Sequence, residues 1–368
     1  MPENPDTFLE IDLEALAHNY RVIRSRLRPE TRLMGVVKAF AYGSESQAIA
    51  HKLETLGADY LAVAFIREGV QLRKGGVRLP IMVLHPQPES LEDLIAHCLE
   101  PCLYNRRILE HFLETAKELR QKDYPVHLKF NTGLNRLGFK GEDLGWISQH
   151  LKEQESVSAR SIFSHLAASD DLEESKFTQS QIRAFQKIVK AAEDLFPGEL
   201  FKHLLNTSGV FNYPEAQWDM VRTGIGLYGY SNHPESDALL KPVARLCTRI
   251  SQIHQVAPGD WVGYNKGFQA PDARTTATLP IGHADGIGRQ YGRGVGNVFI
   301  GGNRAPIIGN VCMDMTMVDV TGLPCREGDQ VVFFGGAHSA EDLAGKAGTI
   351  SYELLAGISQ RVPRIIIG

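Results

Sequence analysis

The sequence predicts an α/β protein: an N-terminal (β/α)8 barrel of the TIM type followed by a mostly-β C-terminal domain. Three observations favour this fold class. Between about residues 33 and 221, short apolar runs alternate with segments of helical period, which is typical of a parallel sheet. Eight such runs suggest that the sheet closes into a barrel. After about residue 235, short β-branched runs alternate with turns that contain Gly, Pro and Asp, a pattern typical of an all-β domain.

The barrel region begins with a predicted helix over residues 12–28, where apolar residues recur every three or four positions and line one face. Eight short apolar runs follow, each typical of a strand that is buried on both faces. They are residues 33–37, 60–64, 80–84, 101–103, 126–130, 162–164, 203–205 and 220–221. Helix-period segments, such as 106–120 and 179–195, lie between most of these runs.

The domain boundary is expected near residue 235, with the barrel over residues 1–235 and the β domain over residues 236–368. Predicted strands of the β domain are residues 275–279, 298–300, 315–320 and 330–334, and a short helical piece is predicted near 340–358.

The composition excludes several classes of protein. A formal net charge of −4 without a Lys/Arg-rich stretch argues against a nucleic-acid partner. The five cysteines form no CxxC or CxxH, which argues against a disulfide framework and a zinc site. The first residues, MPENPDTFLE, lack the regions of a signal peptide, and no apolar run reaches membrane-spanning length. We therefore expect a cytoplasmic enzyme with no metal and no membrane partner.

Charged and polar residues collect at the predicted C-terminal ends of the barrel strands, where the loops of a barrel converge on one mouth. Taken singly, a strand-end Lys or Arg is usually a solvated cation, and a histidine among apolar residues is usually a hydrogen-bonded core residue. Four cations and a histidine in one mouth favour a bound anion, because their accumulated charge would otherwise be costly. The residues are Lys38, Lys129, Arg136, His165, Asn206, Thr207, Arg222 and the TGIG segment 223–226.

Phosphate is an anion that suits this set, since glycine-exposed backbone amides and hydroxyl groups bind its oxygens. A lysine beside a phosphate site can form a Schiff base with an aldehyde. A lysine, an aldehyde and a phosphate together describe pyridoxal phosphate (PLP), whose ring is an electron sink for a carbanion next to an amine.

The chain also resembles the alanine racemase family of fold-type III PLP enzymes, over roughly residues 7–368. Eight motifs of that family occur in the family's order. In the barrel region, VVKANAYGHG is here VVKAFAYGSES, K-x-DTGMxRLG is KFNTGLNRLG, THFATAD is SHLAASD, and NS…MVRxGIxxYG is NTSG…MVRTGIGLYG. In the second domain, VSYG is VGYN, IGYADG is IGHADG, GxVCMD is GNVCMD, and TINYE…ISYRVPR is TISYE…ISQRVPR.

The resemblance implies a role for each matching residue around PLP. Lys38 would hold the cofactor as a Schiff base and act as one catalytic base, and Tyr264 of the partner subunit would be the other. Arg222 would face the pyridine nitrogen, and His165 would support both Arg222 and Tyr264. The remaining cofactor contacts, mainly to the phosphate, would come from Tyr42, Asn206, Thr207, Gly224, Ile225 and Tyr352.

The substrate site follows from the same resemblance. Arg136 would bond the phenolic oxygen of the cofactor and the substrate carboxylate, and the backbone amide of Met313 from the partner would complete the carboxylate site. Lys129 matches a lysine that is often carbamylated in this family to orient Arg136.

The family is further expected to form a head-to-tail homodimer in which each active site takes residues from both chains. Its first strand, here near residues 8–12, joins the β domain. Residues of the substrate's access corridor would be Asp170, His283 and Arg289.

These residue types suit racemisation, which removes a proton from one face of an α-carbon and returns one on the other, so that two bases serve it better than one. A tyrosine in solution has a pKa of ~10, so a tyrosine base needs positive neighbours. The Arg222 guanidinium cannot accept a proton and so tends to leave the pyridine nitrogen unprotonated. The resulting shallow electron sink favours proton exchange over decarboxylation or aldol chemistry.

The predicted function is PLP-dependent interconversion of L- and D-alanine, which would supply D-alanine for peptidoglycan. One alternative is a racemase of another small amino acid such as serine, because several positions depart from the family: Phe40, residues 43–46, Asn131, His283 and Gln360. A fold-type III decarboxylase would instead pair its pyridine nitrogen with a glutamate. A PLP-carrier protein would lack the second domain.

Overall fold

The computed structural model of the protein describes residues 5–196, 200–231 and 233–368. The chain forms two compact units. The barrel unit comprises residues 17–41 and the described part of 46–240, and the β unit comprises residues 5–16, 42–45 and 241–368. Within the described ranges, no helix has the length and apolar character needed to cross a bilayer.

A closed barrel of eight parallel strands lies at the centre of the barrel unit, which confirms the predicted fold class. The ring closes where the last strand pairs with the first, for example at Met220 and Arg32. The first strand of the chain, β1 (Phe8–Asp12), belongs to the β unit. The barrel strands are β2 (Arg32–Val36), β3 (Tyr60–Val63), β4 (Ile81–Val83), β5 (Glu100–Leu103), β6 (Tyr124–Lys129), β7 (Val157–Phe163), β8 (Phe201–His203) and β9 (Met220–Thr223).

All eight barrel strands differ from their predicted bounds by one or two residues at one end or at both, except that β7 starts five residues earlier than predicted. β7 begins at Val157, five residues before the predicted start. The prediction missed this first part because the exposed Ser158 and Arg160 interrupt the apolar run. β8 ends at His203, where its predicted run began. Leu204 and Leu205 are fully buried but follow the strand, so burial alone made them resemble strand residues.

Helices alternate with the barrel strands and cover the outside of the sheet, as a right-handed βα succession requires. α1 ends at Arg24, earlier than predicted, and the chain continues in tighter turns: the N–H groups of Arg26 and Leu27 donate to the carbonyls three residues before them. The helices are α1 (Leu13–Arg24), α2 (Ser46–Leu56), α3 (Ile66–Lys74), α4 (Leu91–Ala96), α5 (Arg106–Glu118), α6 (Leu144–Lys152), α7 (Ser175–Leu195), α8 (Thr207–Asn212) and α9 (Pro234–Asp237).

A nine-stranded sheet dominates the β unit. Besides β1, the elements of the β unit are β10 (Ala244–Arg249), β11 (Gln252–Val256), β12 (Trp261–Val262), β13 (Phe268–Gln269), β14 (Arg274–Leu279), β15 (Asn297–Ile300), β16 (Asn303–Ile308), β17 (Thr316–Asp319), β18 (Gln330–Phe334), α10 (Ala340–Lys346), α11 (Ser351–Ala356) and β19 (Arg364–Ile367). The strand order is β11-β14-β17-β16-β15-β18-β10-β1-β19, while β12 and β13 form a separate hairpin. β1 pairs antiparallel with β10 and parallel with β19.

Candidate active site

Four of the predicted site residues lie at the C-terminal ends of barrel strands, which share one face of the barrel. Lys129 is the last residue of β6, and Arg222 lies within β9. Lys38 and His165 each follow the last residue of their strand by two positions. The structure therefore brings these four side chains to one mouth, as the sequence predicted.

Arg222 is the best-anchored residue of this mouth and is only 5% exposed. Its Nη1 bonds to Nδ1 of His203 at 2.7 Å, and its Nη2 bonds to Nδ1 of His165 at 3.2 Å. Nη2 also donates to the backbone carbonyls of Ser164, at 2.6 Å, and Leu204, at 3.2 Å. Because an arginine only donates hydrogen bonds, both histidines must accept through Nδ1 and are therefore not protonated there.

The pKa values of the two histidines agree with this bonding. Burial lowers the pKa of His165 well below its ordinary value, and the positive charges of Arg222, Arg136, Lys129 and Lys38 lower it further. Burial and Arg222 likewise hold the pKa of His203 well below the ordinary range. Both imidazoles are therefore neutral at physiological pH.

The basic side chains of the mouth also lose basicity. Burial lowers the pKa of Lys38, the charge of Arg136 lowers it further, and Glu68 acts in the opposite direction. Burial is also the main reason that the pKa of Lys129 is lowered, and it lowers the pKa of Arg222 to about 10. A lysine with a lowered pKa has more neutral amine at neutral pH, which is the nucleophilic form.

A left-handed turn follows Lys38. Ala39, Phe40, Ala41 and Tyr42 have φ angles of 53, 55, 54 and 55°. Left-handed backbone costs each non-glycine residue about 1–2 kcal/mol, and such strain is concentrated at functional sites. No sequence pattern predicts this turn.

Glu68 anchors the start of the left-handed turn, and the sequence analysis missed it. Its Oε1 accepts a hydrogen bond from the backbone N–H of Ala39 at 2.7 Å. Its Oε2 accepts from the N–H groups of Ala64, at 2.7 Å, and Phe65, at 3.1 Å. Glu68 lies in the first turn of α3, which is an ordinary position for an acidic residue, so no sequence signal marked it.

Thr207 and the glycines after β9 form a compact cradle. The Thr207 hydroxyl oxygen accepts hydrogen bonds from the N–H groups of Gly224, at 3.3 Å, and Gly226, at 3.2 Å, so that its own hydrogen can be donated. A Cβ on Gly226 would lie 2.5 Å from Cγ2 of Thr207, so only glycine fits here. Asn206 caps the following helix by accepting from the N–H of Gly209 at 2.9 Å.

Arg136 is exposed and lies in a loop that Asn131 organises. The side-chain oxygen of Asn131 accepts from the N–H groups of Gly133, at 3.1 Å, and Asn135, at 3.0 Å. A carboxylate oxygen could accept the same two bonds. The departure from the family's aspartate therefore preserves the loop that carries Arg136, while it removes one negative charge.

In the β unit, Tyr42 and Tyr352 lie together, with ring centroids 6.0 Å apart. Burial, and then Tyr352, raises the pKa of Tyr42, so its hydroxyl stays neutral and can donate. Gly43 has a φ of 77°, and a Cβ there would lie 1.9 Å from the carbonyl oxygen of Leu355. The guanidinium of Arg364 donates to the carbonyl of Gly43 at 2.7 Å, which fixes the segment beside Tyr42.

The other predicted residues of the β unit are accessible in the single chain. Tyr264 is 75% exposed and Met313 is 59% exposed. The backbone carbonyl of Tyr264 accepts a hydrogen bond from Asn310 Nδ2 at 2.9 Å, so the position of this backbone is defined. His283 and Arg289 are exposed in the β unit, and Asp170 is exposed in the barrel unit.

The protein is therefore of the parallel-barrel class, with a partly buried lysine, a buried arginine bonded to two neutral histidines, and a threonine–glycine cradle. Side chains of these types can bind an anionic group. The family model "Alanine racemase, N-terminal domain" matches residues 11–232, and "Alanine racemase, C-terminal domain" matches residues 243–366. The chain belongs to the alanine racemase family, which confirms the resemblance found in its motifs.

Individual relatives agree with these family models over almost their whole length. The alanine racemase of Sorangium cellulosum is 36% identical, with 97% of this chain and 98% of that protein covered. Alanine racemase 1 of Clostridium acetobutylicum is 37% identical, with 97% and 94% covered.

Solved structures give the same result. The alanine racemase of Clostridium difficile 630 superposes with a TM-score of 0.93 at 32% identity, covering 99% of this chain and 96% of that chain. The alanine racemase of Bartonella henselae, solved with covalently bound pyridoxal phosphate, has a TM-score of 0.89 at 29% identity, with 99% and 100% covered. The alanine racemase of Bacillus anthracis, solved with bound L-Ala-P, has a TM-score of 0.91 at 29% identity, with 100% and 96% covered.

Proposed function

We propose that this protein is a PLP-dependent alanine racemase that interconverts L- and D-alanine with two bases, Lys38 of one chain and Tyr264 of the partner subunit. The observation that carries the proposal is the environment of Arg222, which two neutral histidines and two backbone carbonyls fix in the mouth that also contains Lys38. This arrangement suits a ring nitrogen that is to stay unprotonated.

The donor set fits PLP. Lys38 offers an amine of lowered pKa to the aldehyde, and the Thr207 hydroxyl offers a hydrogen to the phosphate. The hydroxyls of Tyr42 and Tyr352, the backbone at Gly224 and Ile225, and the capping residue Asn206 would complete the cofactor site. When bound, PLP supplies the electron sink that makes an α-proton of the substrate acidic.

Arg222 would set the depth of that sink. Among the described residues, none accepts a hydrogen bond from its Nε, so this N–H is available to an acceptor such as a pyridine nitrogen. Because a guanidinium donates a hydrogen bond but does not give up its proton, the nitrogen would stay neutral. Proton exchange would then be favoured over reactions that need a longer-lived carbanion.

Lys38 and Tyr264 would act on opposite faces of the substrate. The neutral amine of Lys38 can take the α-proton from one face, and the Tyr264 hydroxyl of the partner subunit can deliver one to the other. His165 accepts from Arg222 through Nδ1, which leaves its Nε2–H to stabilise a tyrosine oxygen that has lost its proton. We propose a homodimer because Tyr264 is exposed in the single chain, where a partner subunit can receive it as the second base of its own active site.

The substrate carboxylate would be bound by the exposed Arg136 and by the backbone amide of Met313 of the partner subunit. A bound alanine analogue in the Bacillus anthracis relative supports an amino acid as the substrate class. Lys129 would orient Arg136, and its lowered pKa favours the neutral amine that can be carbamylated. Asp170, His283 and Arg289 would line the access corridor.

Residues 1–235, apart from the first strand, would form the barrel that binds the cofactor. Residues 236–368 would form the domain that supplies Tyr264 and Met313 to the partner's site. D-alanine made by this reaction would be used for peptidoglycan.

The decisive test is exchange of the α-hydrogen in D2O across a panel of L-amino acids, scored for inversion by chiral chromatography. We expect deuterium incorporation with inversion for alanine, and no release of CO2. A larger rate for serine would shift the assignment to a serine racemase, and CO2 release would indicate a decarboxylase. Binding of PLP without any exchange would indicate a carrier protein.

A further inference from the structure

A line of buried polar side chains continues from Arg222 through the interior of the barrel. Nε2 of His203 lies 2.9 Å from the Ser161 hydroxyl, and this hydroxyl lies 2.6 Å from Nδ1 of His127. Nε2 of His127 lies 2.7 Å from Oε2 of Glu100. The five residues come from five neighbouring strands, β9 to β5, and we call them the barrel relay.

The chemistry of the donors fixes the direction of every hydrogen bond in the barrel relay. Arg222 can only donate, so Nδ1 of His203 accepts and its Nε2–H donates to Ser161. The Ser161 hydroxyl hydrogen then donates to Nδ1 of His127, whose Nε2–H donates to the carboxylate of Glu100. Every hydrogen has an acceptor only in this arrangement, so all four donors point from Arg222 towards Glu100.

The barrel relay is isolated from water over most of its length. His127, Ser161 and His203 are 0% exposed, and the Glu100 side chain is 13% exposed. Phe163 stacks on the ring of His203 with centroids 4.6 Å apart. In such an environment hydrogen bonds are strong and polarise one another.

Among the described residues, Arg73, Tyr124 and Tyr60 interact electrostatically with Glu100 at the outer end of the barrel relay. Tyr60 of β3 lies edge-on to His127, with ring centroids 5.9 Å apart. Tyr60 interacts with both Glu100 and Arg160, so it belongs to the surroundings of the carboxylate. At the inner end, His203 faces Arg222 and lies edge-on to His127 at 6.4 Å.

We propose that Glu100, His127 and Ser161 are positioning residues for Arg222. Through His203, the barrel relay holds the guanidinium in one orientation, and it links this buried cation to a carboxylate on the opposite side of the barrel interior. The arrangement offsets the cost of burying Arg222 without placing an acid beside the cofactor ring. The catalytic consequence rests on the proposed racemase function, whereas the direction of the hydrogen bonds does not.

The first test uses the full-length, cofactor-free protein labelled with nitrogen-15 histidine, and it does not depend on activity. We expect NMR spectra to show His127 and His203 as neutral Nε2–H tautomers. Glu100→Gln keeps an acceptor for His127 but removes the charge, and we expect it to shift the ring signals of both histidines. In a Ser161→Ala background, the same change should shift His127 alone.

Three outcomes of this first test would overturn the barrel relay. They are an Nδ1–H tautomer at either histidine, a His203 signal that does not shift in Glu100→Gln, and a His203 shift that is as large in the Ser161→Ala background as without that change. Glu100→Gln retains every hydrogen bond, so it tests the transmitted charge even if Ser161→Ala does not fold.

The second test measures racemisation by the PLP-loaded enzyme. We expect Glu100→Gln and Ser161→Ala each to lower kcat about three- to tenfold with KM changed less than about twofold, and the double variant to be no slower than Ser161→Ala. Ser148→Ala is the matched control, because this buried serine on α6 donates to Leu195 at 3.1 Å outside the relay. An unchanged kcat in Ser161→Ala would overturn the positioning role.

The two proposals fail in different ways. Absence of racemisation in the unmodified enzyme, with the tautomers as expected, would contradict the proposed function alone.

Discussion

Lys38 combines two properties that a single residue of this site needs. Its amine is held in a buried mouth where burial and Arg136 lower its pKa, so more of it is neutral than for a lysine in water. It also lies two residues after the end of a buried strand, so the barrel constrains its backbone position. A lysine in this environment can serve both as the point of cofactor attachment and as a base.

The charge of Arg136 contributes to this lowered pKa, and this is the first prediction. Arg136→Gln removes a positive charge, so the pKa of Lys38 should rise and less neutral amine should remain at pH 7. The measurement is an NMR titration of the cofactor-free protein after reductive carbon-13 methylation, with Lys38→Arg used to assign the signal. Arg107→Gln, at an exposed arginine on α5, is the control, and an equal or lower pKa in Arg136→Gln would refute the prediction.

Tyr264 is predicted to be needed for proton transfer but not for cofactor binding. Tyr264→Phe removes only the hydroxyl, so the visible absorption of bound PLP should remain while kcat falls about 10²-fold or more. Absorption spectra and racemisation assays from both enantiomers check this. Turnover close to that of the unmodified enzyme in both directions would contradict the two-base scheme.

At the scale of elements, the turn after β2 shows how the fold supports strain at a functional position. Four consecutive non-glycine residues, 39–42, have left-handed backbone. Glu68 of α3 accepts one backbone hydrogen bond at the start of this turn and two in the loop before its own helix. The carboxylate thus stabilises backbone that would otherwise be unfavourable.

We predict that Glu68→Ala destabilises the protein by about 2–4 kcal/mol, because it removes three hydrogen bonds to a charged group. It should also reduce the fraction of protein in which borohydride fixes PLP to Lys38. Urea unfolding and mass spectrometry measure the two effects. Glu114→Ala, at an exposed position of α5, should change neither, and a loss below about 0.5 kcal/mol in Glu68→Ala would argue against the anchor.

Local patterns explain how much could be predicted at this scale. All eight barrel strands were visible because strands buried on both faces leave continuous apolar runs. The first half of β7 was missed because Ser158 and Arg160 point to solvent. Lys38 and Arg222 could be predicted at strand ends because strand ends and motifs are local features of the sequence. Glu68 was not found, because its bonds to Ala39 depend on the packing of separate segments.

In the whole molecule, acid stability should reflect the two neutral histidines of the site, His165 and His203. The pKa values of His165 and His203 are lowered in the folded state, so below the ordinary value of 6.5 only the unfolded chain binds these protons. The free energy of unfolding should therefore fall as the pH falls from about 6.5, by up to ~1.4 kcal/mol per pH unit for each histidine.

Urea unfolding of the cofactor-free protein between pH 5 and 8 measures this slope. His203→Gln should make the slope shallower below pH 6.5, whatever its effect on absolute stability. His254→Gln, at an exposed histidine of β11, should leave the slope unchanged. A slope in His203→Gln as steep as that of the unmodified protein would count against a neutral, buried His203.

In the proposed homodimer, each active site takes residues from both chains. Lys38 belongs to the barrel unit and Tyr264 to the β unit, where it is exposed in the single chain. If each site takes Lys38 from one chain and Tyr264 from the other, a heterodimer of Lys38→Ala and Tyr264→Phe chains contains one site with both bases intact and one with neither.

Co-expression of these two variants with different affinity tags, followed by purification on both tags, isolates the heterodimer for a racemisation assay. We predict about half of the specific activity of the unmodified enzyme, although each variant homodimer is nearly inactive. Failure to recover a heterodimer, or a heterodimer as inactive as its parents, would contradict a racemase whose two bases come from different chains.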